Sequence, residues 1–223
     1  MPTATFKVWL NAVFDHPVQK REWYWDASFE TFWSGLELSD ELTVEYMTRL
    51  FLASDSLTQY SRQQVAQGIW FLIGESSPGD SAYALLNSAV PLSDRIDCIC
   101  AMATFFRTFV VPVAPDRANE QEDDFQGVCY MWWDIFPSKG GPTYGPDTGG
   151  EPELHAACLN TMSQILSMPS ELCQLSALHG LGHWHENYGE RVEEIVNSFL
   201  LNTSDITTRI IDYAGKAKTG EVL

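Results

Sequence analysis

Ser176-Ala177-Leu178-His179-Gly180-Leu181-Gly182-His183-Trp184-His185 lies in the middle one of three amphipathic helical segments that follow one another from Pro152 to Leu200. Its reading decides the fold. Apolar, small and ring-bearing residues recur at helical spacing, and two glycines sit among them. A glycine inside a helix costs up to about 1 kcal/mol relative to alanine, so it needs a packing reason. Close approach of a neighbouring helix supplies one. The stretch therefore predicts a tightly packed helix.

The flanking segments agree. Before it, Pro152 suits a first helical turn, and Leu154, Cys158, Met162, Ile165 and Leu166 form a stripe that stops at Met168-Pro169. Ser170 is placed to cap the middle helix. After it, Gly189 fits a position just past a helix end, and Val192, Ile195, Val196, Phe199 and Leu200 make the clearest stripe in the chain. Ser204 or Asp205 then caps a last short helix through Tyr213, and residues 215–223 are expected to fray.

The pattern extends toward the N-terminus. Thr5 to Phe14 reads as an opening helix closed by His16-Pro17, because the residue before proline avoids the α region. Residues 1–38 are rich in large rings, which suggests a cap over the first helical unit. Trp23, Trp25 and Trp33 could instead line a small-molecule site. Ser39 and Asp40 offer a cap to a helix carrying Thr43, Tyr46, Met47 and Leu50, and Ser61-Arg62-Gln63-Gln64 has the form of a capping box. Ser93 or Asp94 caps a longer helix bearing Ile96, Ile99, Cys100, Ala103, Phe106 and Val110, ended by Pro112 and Pro115. Asp116 to Asp124 reads as a solvated acidic loop. Pro137 to Gly150, with five glycines and three prolines in fourteen residues, is the clearest surface loop. Its triplet Asp147-Thr148-Gly149 lacks the β-structure that an aspartic-protease loop needs. No strand pattern occurs, so the chain is expected to be all-α, one domain over 1–223.

Composition bounds the function. Hydrophobic residues make up 45% and aromatics 13%, enough for a sizeable core. No run approaches the ~20 apolar residues of a membrane helix, and no basic-then-apolar leader is evident; a cytoplasmic location is expected. Five cysteines without a CxxC pair read as buried thiols. The net charge of −17 disfavours nucleic acid as a partner and leaves a protein partner as the expectation, with a basic one fitting the charge.

Histidines 179 and 183 are four apart and share a helix face, a spacing that can hold one metal ion. Gly180-Leu181-Gly182 between them offers no glutamate as general base. At about 100° per residue, His185 points about 160° away from His183 and cannot join them. A third ligand would come from Glu186, His155, Cys158 or another helix. Histidines satisfied by packing are the favoured reading, so no cofactor and no metal is expected. His179, His183, Glu186, Trp132 and Trp133 remain candidate binding residues, the tryptophans as interface anchors.

Five motifs in order carry a resemblance: Phe14-Asp15-His16-Pro17-Val18, Trp23-Tyr24-Trp25, Gln64-Val65-Ala66-Gln67-Gly68-Ile69-Trp70-Phe71-Leu72, Cys129-Tyr130-Met131-Trp132-Trp133-Asp134 and Ser176 to Trp184. Together they resemble a group of uncharacterised bacterial proteins related to HEAT-like, armadillo-type helical repeats, over residues 6 to 202. The resemblance implies a right-handed α-solenoid of helical hairpins that binds a protein on a concave face, a non-enzymatic scaffold. A metal-dependent enzyme using the His179/His183 pair is the alternative.

Overall fold

Thr5 is extended and its hydroxyl accepts from the Val8 amide, so the chain enters helix α1 (Phe6–Phe14) where the sequence places it. The structure is a computed structural model, and it describes residues 4–18, 22–74, 81–114, 123–136 and 152–222. It is all-helical, with no strand among the described residues. The loop over 137–150 and residues 116–122 of the acidic loop lie outside them.

Local signals set most of the remaining boundaries. A single turn of 3-10 helix at Trp23–Trp25 leads to α2 (Ala27–Ser34). Ser39 caps α3 (Asp40–Leu52), and the Ser61/Gln64 box caps α4 (Arg62–Ile73), each side chain satisfying an amide that the helix leaves free. The short segment after residue 80 is a 3-10 helix, Ser81–Leu86. Helix α5 (Leu92–Phe105) starts without a side-chain cap, at Pro91 rather than Ser93 or Asp94.

Helix α5 runs on through a five-residue π turn, Phe106–Val110, into the short α6 (Val111–Val113). Pro112 lacks the amide that would bond four residues back, and the turn before it widens to π instead of ending the helix. The continuous segment Leu92–Val113 is long and apolar enough to cross a bilayer by length and composition, contrary to the expectation of no such run. In the fold it packs against α3 and against α9 (Pro152–Leu166), with Cys98, Met102, Phe105 and Phe106 fully buried.

Asp123 caps α7 (Asp124–Tyr130), which is followed by α8 (Trp132–Ile135). Ser170 caps α10, which spans Glu171–Asn202. Two helices meet within this span, across a kink close to Gly189, where the sequence places a helix end. The helix is distorted one residue earlier, at Tyr188 (φ −135°, ψ 32°), whose hydroxyl is bonded to Nδ1 of His155 on α9. Thr207, not Ser204 or Asp205, caps α11 (Thr208–Ala217).

The helices pack in two rows. One is α3 on α5, α5 on α9 and α9 on α10; the other is α1 on α4, α4 on α7, and α7 with α8 on α10, to which α11 also docks. Two expectations fail here. Residues 215–222 do not fray, since α11 continues to Ala217 and both Ala217 and Val222 are buried against the body. Trp132 and Trp133 are core residues rather than surface anchors, because α8 turns both rings inward. At the N-terminal end, Trp23 is stacked on His16 and packed on Phe29 and Phe71, while Trp33 lies against Phe71. Only Trp25 of the proposed ligand trio is exposed, so the three do not form one site.

Candidate functional site

The glycines of α10 bring the site together. A Cβ on Gly180 would lie 2.4 Å from Cβ of Trp133, and one on Gly182 would lie 2.5 Å from both methyl carbons of Val222. With no side chain at 180, α8 sits directly on α10 and buries Trp133. Asp134, the next residue, then emerges beside His183.

Three ligand-type atoms converge there. Nε2 of His183 is 3.2 Å from Nε2 of His179 and 3.5 Å from Oδ1 of Asp134, and the ligand atoms of all three residues lie within 4.8 Å of one another. The site is graded in exposure. His179 is 1% exposed, whereas the side chains of His183 and Asp134 are 24% and 30% exposed and face solvent.

Helices α7 and α11 hold His179 from the other side. The ring of Tyr130 stacks on it at 4.2 Å, and its Nδ1 lies 2.9 Å from the Tyr213 hydroxyl, which in turn is 2.5 Å from the hydroxyl of Tyr130. Burial, and then the neighbouring His183, lower the His179 pKa to about 4, so its ring is neutral at physiological pH. Burial and the Tyr130 hydrogen bond push the Tyr213 phenol well above its usual range. Tyr213 therefore stays protonated. When Nε2 of His179 takes part in ligation, Nδ1 carries the proton and donates it to Tyr213, which fixes both tautomer and ring orientation.

The structure thus unites His179 and His183, as their spacing predicts, and adds Asp134 as the third group. The residues considered for that place go elsewhere. Glu186 is exposed and outside the cluster, and His155 is bonded to Tyr188. Cys158 is buried, which raises its thiol pKa to about 12 and keeps it protonated. His185 points away toward Glu193, 4.0 Å distant, as the helix wheel requires. Asp134 was missed because no spacing rule links a residue on a four-residue helix to a helix that begins far along the chain. The only local hint was its position directly after two tryptophans that had to be buried.

Compared with models of protein families, with curated proteins and with solved structures, the chain matches none of them.

Proposed function

We propose that the protein is a metal-dependent enzyme in which His179, His183 and Asp134 hold one divalent first-row transition ion, zinc foremost. The observation that carries this reading is the convergence of two imidazole nitrogens and a carboxylate oxygen at the separations quoted above. Ligands placed tetrahedrally around an ion at about 2.0–2.1 Å lie about 3.3 Å apart; the two separations from His183, 3.2 and 3.5 Å, bracket that value, and the pair His179–Asp134 lies within 4.8 Å. The donor set suits zinc and its neighbours rather than magnesium or calcium. Neutral His179 needs no deprotonation to become a ligand, and Tyr213 orients it from behind.

Three protein ligands with a solvent-facing side match the count of catalytic zinc sites rather than closed structural ones. An ion held this way lowers the pKa of bound water and polarises carbonyl or phosphoryl oxygens. Elemental analysis of protein purified without chelator should find about one ion per chain. His183→Ala and Asp134→Asn, both at partly exposed positions, should lose it while remaining folded. Added zinc should raise the thermal midpoint of the wild type and of neither variant. No stoichiometric metal, together with no response to zinc, would overturn the proposal.

A second reading is a HEAT-like α-solenoid that binds a basic protein partner in the cytoplasm. Two features support it: the two successive rows of helices, and the net charge of −17. Capture with tagged protein should then retain a partner at low salt and release it at high salt. Retention of none at low salt would remove this reading.

A further inference from the structure

The helical glycines fall into two kinds. Gly68 makes room for the ring of Phe14, Gly180 for Trp133 and Gly182 for Val222, so each has a neighbour that explains the missing side chain. Gly127, inside α7, has none among the described residues: a Cβ there would meet none of their atoms within 4 Å. Gly215 is similar but lies exposed on α11. Gly127 instead lines a cavity of about 710 Å³ between the turn at Trp23–Trp25, α4 and α7. A helix glycine that costs stability without seating a neighbour keeps space open.

The walls of that space have a consistent chemistry. Tyr24, Trp25 and Trp70 supply ring surfaces, and Glu22 and Asp124 supply two carboxylates. No lysine or arginine is among the described lining residues. Burial, and then the charge of Glu22, push the Tyr24 phenol above its usual range, as expected where a carboxylate field reaches a ring of the wall. Ring faces attract cations by about 0.5–2 kcal/mol each, most strongly when the cation is shielded from water. The excess of acidic over basic residues raises the cation concentration at the surface generally. The volume is that of an ordinary small-molecule site.

We propose that this cavity binds an organic ammonium ion, with the rings of Tyr24, Trp25 and Trp70 around the alkylated nitrogen and Glu22 and Asp124 as counter-charges. The site shares no residue with the cluster of His179, His183 and Asp134, and it stands whether or not that cluster holds a metal.

Calorimetric titration with choline, and with 3,3-dimethylbutan-1-ol as its uncharged isostere, tests the proposal. Choline should bind at one site per chain, and the alcohol should bind at least about 10-fold more weakly. Trp25→Ala should weaken choline at least about 10-fold without lowering the thermal midpoint, because Trp25 is 46% exposed. Gly127→Phe, which places a ring in the cavity, should abolish binding; Glu22→Gln provides the same test by charge if that variant does not fold. Equal binding of choline and the alcohol would overturn the assignment. So would no heat with choline at about 10 mM, a value weaker than an aromatic site with two carboxylates should give.

Discussion

Replacing Trp132 by alanine should lower the unfolding free energy by about 4 kcal/mol, and with it the thermal midpoint by roughly 10 °C. Trp132 is fully buried, with ring centroids of Phe51, Phe105 and Phe106 at 5.8, 5.6 and 5.1 Å. It therefore joins α3, the end of α5, the π turn and α8, and an alanine would leave a void bounded by three separate elements. Its indole nitrogen is buried and has no hydrogen-bond partner among the described residues, so the loss is one of packing. Trp132→Phe keeps most of the volume and removes the unsatisfied donor, and should cost far less. Urea unfolding followed by circular dichroism measures both. An unchanged midpoint for the alanine variant would mean that the residue is not part of the core and would restore its role as a surface contact.

Gly180→Ala should also destabilise, by about 2 kcal/mol net. Alanine gains helix propensity worth about 1 kcal/mol over glycine. The new methyl, however, would stand 2.4 Å from Cβ and 2.7 Å from Cγ of Trp133, and 2.8 Å from Sδ of Met162. Cβ of Trp133 is fixed to its backbone, so α8 must move as a unit, and Asp134 moves with it. The variant should therefore lose zinc affinity as well as stability. Gly127→Ala is the matched control: its methyl meets no atom of the described residues within 4 Å, so it should gain up to about 1 kcal/mol and keep zinc binding intact. Denaturant midpoints of the two variants should move in opposite directions, and zinc titration should show weakened binding in Gly180→Ala alone. The same sign of stability change in both would contradict the packing assigned to α8 and α10.

The fold was legible wherever local chemistry decides it. Thr5, Ser39, Ser61 and Ser170 each mark a helix start that their side chains do cap, because capping involves only residues within one turn. The close approach of a neighbouring helix expected at these glycines is present at Gly180, where α8 meets it, whereas Gly182 is met by Val222 beyond the end of α11. The failures involve contacts between distant segments. Pro112 looked like a terminator, but a π turn absorbs it. Residues 215–222 looked loose because Val222 finds its seat only on Gly182. The candidate site divides the same way. The His179/His183 pair follows from periodicity, whereas Asp134, Tyr130 and Tyr213 come from three other helices, and their convergence on α10 depends on tertiary packing.

The burial of Trp133 and Trp184 has a spectroscopic consequence. One precedes Asp134 and the other follows His183 in the chain, and both indoles are buried, their nitrogens without a hydrogen-bond partner among the described residues. Two of the eight tryptophans thus emit from dry surroundings within a residue of a proposed ligand. A quenching ion such as copper or cobalt bound there would darken the blue edge of the emission band first, and the protein would report occupancy of its own site without a label.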